Sequence, residues 1–101
     1  MVIISKAIIK NFSTKHADAT PALEDWYEII STIEYKNFNE LKNSFNSVDA
    51  VGNDRYVFNI KGNKYRLIAL IIFKVRTVFI LFIGTHSEYD KTDAATVNFK
   101  K

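Results

Sequence analysis

The spacing of apolar residues changes half-way along this chain of 101 residues, and that change limits which folds it can adopt. In the first half, apolar residues such as Leu23, Trp26, Tyr27 and Ile30 recur at the period of one helix face. In the second half they alternate or form short runs, which is typical of strands. A block of helices followed by a block of strands predicts an α+β domain.

Three helices are predicted before the first strand of the second half. The first follows Ser5, a residue type that often caps helices, and ends near His16. The second starts near Pro21, since proline favours the first turn of a helix, and the third starts near Asn39. The first half of the chain should therefore be mostly helical.

The second half is expected to contain three strands, at residues 55–60, 65–73 and 77–83. Their short connections predict an antiparallel meander. The middle strand carries the apolar run at 67–73, so both of its faces should be covered. At seven residues this run is far shorter than the roughly 20 that a membrane-spanning helix needs.

Composition excludes several kinds of site. The chain has no cysteine, which rules out disulfides, thiolate metal sites and a cysteine nucleophile. Its three glycines form no phosphate-binding loop and its two histidines fall in separate predicted elements, so neither a metal nor a cofactor is predicted. We expect residues 1–101 to form one domain that has no signal peptide and works in the cytoplasm.

Positive charge is concentrated in one third of the chain. Residues 55–87 carry six Lys or Arg and no acidic residue, whereas residues 1–54 carry five Lys or Arg against eight Asp or Glu. Such a block favours polyanionic partners, including nucleic acids. The alternative is that these cations are ordinary solvated residues at strand ends and turns.

A capping box is predicted where the last strand ends. Thr85 and Glu88 stand three apart, the spacing at which each side chain can bond the other's backbone amide. A helix that starts at His86 places Tyr89 and Asp90 on the same face as His86. The group can serve acid–base chemistry at a phosphate, although capping and packing are the commoner roles of such residues.

A second polar group surrounds the turn between the first two predicted strands of the second half. Arg66 is the polar member of an otherwise apolar strand, and Asn63 precedes it in the turn. If Arg66 faces the predicted helix at His86, its guanidinium can hold a phosphate through two hydrogen bonds. Otherwise it simply reaches solvent at the start of its strand.

Three segments together resemble the HigB toxins, bacterial toxin–antitoxin proteins of the RelE-like group. They are RYVFNIKGNKYRLI at 55–68, VFI at 78–80 and GTHSEYDK at 84–91. The resemblance covers the whole chain. It implies a compact α+β domain in which N-terminal helices pack on a small antiparallel meander, with a short C-terminal helix.

The resemblance also implies a function. Such a toxin is expected to cut mRNA bound to the translating ribosome and to be neutralised by a HigA-type antitoxin. The 2′-OH of the RNA attacks the adjacent phosphate, so that acid–base groups and a cation suffice without a metal. The alternative is a non-catalytic module that binds RNA or a protein through the same basic sheet.

The resemblance and the two polar groups give the expected site residues. Three are expected to be catalytic: His86 for proton transfer, Tyr89 as a hydroxyl donor and Arg66 for the charge of the transition state. The expected RNA-binding residues are Lys61, Asn63, Lys64, Lys74, Arg76 and Lys91.

One position departs from the family pattern, in which a basic residue commonly stands where this chain has Leu81. On a regularly alternating strand, Leu81 would share a face with Phe79 and Ile83. If the family's basic residue binds phosphate, this chain lacks that cation. Weakened activity is therefore expected, and a catalytically impaired toxin copy is a further alternative.

Overall fold

The computed structural model describes residues 1–98 and contains five strands and four α-helices within that range. The strands are β1 (Val2–Ile4), β2 (Asp49–Gly52), β3 (Arg55–Ile60), β4 (Tyr65–Ile72) and β5 (Thr77–Thr85). The helices are α1 (Ala7–Lys15), α2 (Thr20–Thr32), α3 (Phe38–Ser44) and α4 (His86–Asp90). Short 3-10 turns occur at Ala17–Ala19 and Phe73–Val75.

The five strands form one mixed sheet in the order β1-β5-β4-β3-β2. The α+β class and the meander of β3, β4 and β5 are confirmed. The sheet also has two edge strands that were not predicted: β1, which runs parallel to β5, and β2, which is antiparallel to β3. Both are too short, at three and four residues, to show a clear alternation.

The predicted helices are present, with one error at a helix start. Ser5 does not cap α1 through its side chain; it adopts a positive φ of 74°, and Lys6 occupies the cap position without a side-chain bond. Pro21 lies in the first turn of α2 as predicted. The third helix begins at Phe38, where the side chain of Asn37 accepts the Glu40 amide at 3.0 Å.

The main core lies between the helices and one face of the sheet. Leu23, Trp26 and Ile30 form the buried face of α2, at the spacing that the sequence predicts. Trp26 meets Phe58 of β3 edge to face, with ring centres 5.4 Å apart. Burying side chains of this size stabilises the fold by about 1.5–3 kcal/mol each.

The second face of the sheet is covered by the chain that follows α4. Ile68 packs there with Val57 and with Ala94 of the C-terminal segment. Arg55 holds that segment in place, because its Nε and Nη2 atoms donate to the Val97 carbonyl at 3.1 and 2.9 Å. The first five residues of β4 are consequently buried whichever face they point to, as the apolar run predicted.

Strand β5 contains a β-bulge at Leu81. Ile80 pairs with Ala69 and Phe82 pairs with Ile68, so Leu81 has no partner residue on β4. The prediction that Leu81 shares a face with both Phe79 and Ile83 is therefore wrong. Ile83 packs in the main core, whereas Phe79 pairs with Leu70 on the second face. Leu81 itself is buried, with 7% of its surface exposed.

Candidate active site

Helix α4 begins with the capping box that the sequence predicts. The Glu88 amide donates to Thr85 Oγ1 at 3.2 Å, and the Thr85 amide donates to Glu88 Oε1 at 2.8 Å. The second bond holds the pKa of the Glu88 carboxyl below its ordinary value, because it favours the charged form. The box turns the chain from strand to helix and places His86 at the end of the sheet.

His86 and Asp90 lie one helical turn apart and are joined by a hydrogen bond. Nδ1 of His86 lies 3.2 Å from Oδ2 of Asp90, and both side chains are more than half exposed. A carboxylate at Nδ1 favours the tautomer with a proton on that atom. The Nε2 atom of a neutral His86 then carries a free lone pair that can accept a proton.

Arg66 lies next to Tyr89 on the second face of the sheet. The guanidinium carbon is 5.8 Å from the centre of the Tyr89 ring, and only 9% of the Arg66 surface is exposed. Its Nη atoms donate to the Asn63 and Tyr65 carbonyls and to Asn63 Oδ1, at 3.0 to 3.2 Å. Within residues 1–98 no carboxylate pairs with Arg66, so no acidic side chain neutralises its positive charge.

The two lysines of the β3–β4 turn share an acidic partner. Lys61 and Lys64 lie 3.1 and 2.6 Å from Oδ2 of Asp18, and the Tyr65 hydroxyl donates to Oδ1 at 2.7 Å. These bonds, of which the one from Lys64 has the largest effect, hold the pKa of Asp18 well below its usual range. The connection between α1 and α2 is thereby fixed to the start of β4.

An open groove of about 560 Å³ lies between that connection, the start of β4 and the start of α4. Its size is within the range of ligand-binding clefts. Asp18 and Lys64 line it, and so do both histidines of the chain, His16 and His86. The groove therefore brings together two imidazoles that the sequence places in separate elements.

The comparison with known families decides the identity. A family model described as the HigB toxin, the RelE-like toxic component of a toxin–antitoxin system, matches residues 19–92. The chain belongs to the HigB toxin family. Membership of a toxin–antitoxin family implies an antitoxin as partner.

Curated relatives agree with membership of the HigB family. The mRNA interferase HigB of Escherichia coli O6:H1 is 33% identical over 93 residues, which cover 90% of each protein. The mRNA interferase toxin HigB of Escherichia coli K12 is 29% identical over 92 residues, 89% of this chain and 88% of the relative. The mRNA interferase HigB of Shigella flexneri gives the same identity and coverage.

The predicted catalytic residues of this HigB chain lie around α4, but not on one side of it. Arg66 and Tyr89 face the C-terminal segment, whereas His86 lines the groove on the other side. Among residues 1–98, no hydrogen bond joins His86 to Arg66 or to Tyr89. An RNA phosphate that uses all three has to lie at the exposed end of the sheet, across α4.

The predicted RNA-binding residues divide between the two ends of the HigB sheet. Asn63 and the two lysines of the β3–β4 turn lie near α4, and Lys91 follows that helix directly. Lys74 and Arg76 lie in the β4–β5 turn, where Arg76 pairs with Glu34 at 2.8 Å. Because β4 has eight residues, the two turns are more than about 20 Å apart.

Two side chains at the groove were missed by sequence reasoning. His16 and Asp18 lie in the α1–α2 connection, which carries no motif and precedes the range that the family model matches. Only the three-dimensional fold brings them to Lys64 and His86. The excess of acidic residues in the first half was the one available signal, and it did not identify Asp18.

Residues 1–98 contain neither a candidate metal cluster nor a candidate membrane-spanning helix. In that range no three His, Asp or Glu side chains come together in a way that could hold a metal ion. In the same part of the chain, no helix combines the length and the apolar character needed to cross a membrane.

Proposed function

We propose that this chain is an mRNA interferase that cuts messages bound to the ribosome in the cytoplasm and is neutralised by a HigA-type antitoxin. Family membership and the names of the relatives support this proposal. The observation that carries it is the polar end of the sheet, where the His86–Asp90 pair and the Arg66–Tyr89 contact flank one short helix. These are the groups that RNA cleavage by its own 2′-OH needs.

Each of the three residues has a distinct role in the proposed reaction. His86 transfers a proton through Nε2, since Nδ1 is bonded to Asp90. Arg66, which has no carboxylate partner within residues 1–98, stabilises the negative charge that develops on the phosphate. Tyr89 donates its hydroxyl to an oxygen of the same phosphate. The nucleophile belongs to the RNA, so the scheme requires neither a metal nor a cofactor.

The proposed RNA contacts follow from position. Lys61, Asn63, Lys64 and Lys91 surround the reacting phosphate, because they lie at the end of the sheet that carries α4. Lys74 and Arg76 lie at the far end and contact RNA away from the cut, in the message or in the ribosome. Each such contact contributes affinity that weakens with salt.

A non-catalytic binding module or an impaired toxin is the second candidate, and Leu81 favours it. This position is apolar and buried at the bulge, so it supplies no cation to the RNA. The ion pairs of Asp18 further reduce the positive charge of the β3–β4 turn. A protein with this surface can bind RNA or an acidic segment without cutting it.

Primer extension on mRNA from a reconstituted translation reaction, with and without ribosomes, tests the proposal. The unmodified protein is compared with His86→Ala, with Leu81→Arg and with Asn43→Ala, an exposed control on α3. We expect cuts only when ribosomes are present, and a rate about 10²–10⁴-fold lower in His86→Ala because proton transfer is lost. Asn43→Ala should cut like the unmodified protein.

The remaining outcomes separate the candidates. Cuts by Leu81→Arg alone would identify an impaired toxin with an intact fold. Because residue 81 is buried, a thermal unfolding curve must accompany Leu81→Arg to show that the arginine is tolerated. If neither the unmodified protein nor Leu81→Arg cuts while both still bind ribosomes or RNA, the protein is a binding module and the proposed activity is wrong.

A further inference from the structure

His16 is the one histidine for which the reaction scheme above has no role. Its backbone is fixed, since its amide donates to the Phe12 carbonyl at 2.9 Å and its carbonyl accepts the Ala19 amide at 3.0 Å. Its ring lines the groove beside His86. Within residues 1–98 neither ring nitrogen of His16 has a hydrogen-bond partner, so both are available to a ligand.

The ring of His16 is held in one orientation by aromatic neighbours. It stacks on Phe12 with ring centres 4.5 Å apart and an interplanar angle of 22°. The Tyr65 ring meets it edge on at 5.4 Å, and Tyr65 is itself bonded to Asp18. A side chain positioned this firmly loses little entropy when it binds a substrate.

The electrostatic surroundings of the two histidines differ. His86 has Asp90 at Nδ1, so its free Nε2 acts as a base. His16 has no such bond, and its ring also lines a neighbouring groove together with Lys15 and Glu88. The charged and titratable groups that surround the two rings are Lys15, Asp18, Lys64, Tyr65, Glu88 and Asp90.

We propose that His16 is a second catalytic residue of this chain, the general acid that works with His86 as the general base. The proposal rests on the proposed function. His16 and His86 enter the groove from two different elements, α4 and the α1–α2 connection, so they can approach a phosphate from different sides. Such an arrangement suits a displacement in which the attacking and leaving oxygens lie on opposite sides of phosphorus.

In the proposed step, one bond to phosphorus forms and one breaks. The 2′ oxygen forms a bond to phosphorus as its proton passes to Nε2 of His86. The bond between phosphorus and the 5′ oxygen breaks as protonated His16 gives its proton to that oxygen. The products are a 2′,3′-cyclic phosphate and a 5′-hydroxyl, and the histidines regain their starting states by exchanging one proton with water. Tyr89 then serves the phosphate rather than the leaving oxygen.

The test uses His16→Phe, which keeps an aromatic ring for the stack but removes both nitrogens. His16→Gln is a second variant, and Thr14→Ala, at an exposed residue of α1 two positions before His16, is the matched control. The substrate is a short message bound to ribosomes, made in two versions. In one version the leaving 5′ atom of the scissile bond is oxygen, and in the other it is sulfur. Sulfur leaves readily without a proton, so it replaces the general acid but not the general base.

With the oxygen message, we expect His16→Phe to cut at least about 10²-fold more slowly than the unmodified protein. With the sulfur message, the two rates should agree within about tenfold, whereas His86→Ala should stay slow. The fall in rate at high pH should also disappear in His16→Phe, because a general acid acts only while protonated. A purely structural role for His16 would give neither the sulfur rescue nor the altered pH profile.

Three outcomes would overturn the assignment. His16→Phe and His16→Gln could both cut the oxygen message at the unmodified rate, or sulfur could fail to rescue them. Alternatively, sulfur could rescue Tyr89→Phe instead, which would make Tyr89 the acid. If neither the unmodified protein nor Leu81→Arg cuts the oxygen message, the proposed function itself fails and the role of His16 with it. That result can be told apart from a failure of the His16 assignment alone, because it is seen before any His16 variant is compared.

Discussion

At the residue scale, Gly84 is the glycine with the least room for a side chain. It pairs with Arg66 in the sheet and directly precedes the capping box. A β-carbon at this position would overlap the ring of Phe82 and come within 3.2 Å of the Glu88 β-carbon. The nearest atoms are the far end of the Phe82 ring, so an added side chain must displace that ring or push against α4.

We expect Gly84→Ala to destabilise the protein by about 1–3 kcal/mol and to slow cleavage without removing any reacting group. The overlap must be relieved by moving the Phe82 ring or the start of α4, which carries His86. Urea unfolding and the primer-extension assay measure the two effects. As a control, Gly84→Ala should cost less when Phe82→Leu is present, since leucine has no ring to displace. Equal costs in both backgrounds would contradict the overlap.

Predictions from the sequence were most accurate for residues joined by local geometry. The Thr85–Glu88 bonds and the His86–Asp90 contact depend only on helix periodicity, so their spacing revealed them. The ring contact between Arg66 and Tyr89 joins two elements, and the sequence could only suggest it as one of two alternatives. The roles of all these residues in catalysis remain predictions.

At the element scale, the ion pairs of Asp18 join the α1–α2 connection to the β3–β4 turn. We expect Asp18→Asn to lower the free energy of unfolding at pH 7, since asparagine keeps the shape but removes the charge that attracts Lys61 and Lys64. The pKa of Asp18 is lower in the folded protein than its unfolded value of about 3.9. The stabilisation is therefore complete above about pH 4 and is lost as the pH falls below that value.

Urea unfolding of the unmodified protein and of Asp18→Asn checks this expectation. The measurements run from about pH 2 to about pH 7, a range that includes the ordinary carboxyl pKa. The difference between Asp18→Asn and the unmodified protein should narrow below about pH 4 and should shrink in high salt. Asp25→Asn is the control, because Asp25 is exposed and forms no ion pair within residues 1–98. A difference that stayed constant across the pH range would show that the charge of Asp18 is not its source.

Elements were predictable where their periodicity extends over several residues. Strands β3, β4 and β5 and helix α2 each offer six or more residues of regular pattern. Strands β1 and β2 offer four or fewer, and their pairing depends on neighbours that are distant in the chain. The bulge at Leu81 could not be predicted, because residues 78–83 are all apolar and the sequence therefore shows no break in the alternation.

At the scale of the whole molecule, both faces of the sheet are buried, one by the helices and the other by the C-terminal segment. Leu67 lies in the main core under the helices, whereas Ile68 lies under the C-terminal segment, and both are fully buried. We expect Leu67→Ala and Ile68→Ala each to cost about 2–5 kcal/mol in the free energy of unfolding. Val75→Ala, at a side chain that is 61% exposed, should change it by less than about 0.5 kcal/mol.

Urea unfolding of the three variants measures these costs. A cost below about 1 kcal/mol for Ile68→Ala, with a large cost for Leu67→Ala, would show that the C-terminal segment does not seal the second face. The sequence predicted that this face is covered but did not identify what covers it. Ala94 and Val97 are too few and too weakly periodic to indicate a packed segment.

The uneven charge of the sequence also has a meaning at this scale. Acidic residues of the helical half pair with cations of the sheet, Asp18 with the β3–β4 turn and Glu34 with Arg76. Opposite charges thus lie in parts of the chain that meet only after folding. The basic block that predicted an RNA partner is partly used within the protein, so its contribution to RNA binding is smaller than its count of cations suggests.

The bulge at Leu81 divides β5 into two parts whose side chains alternate in opposite order. Before it, even-numbered residues point towards the helices; after it, odd-numbered residues do. A sequence alignment that treats the strand as one regular repeat will therefore assign Ile83 to the wrong side of the sheet. The single extra residue also decides from which side the chain enters α4, so the position of His86 depends on the length of β5 as much as on the residues around it.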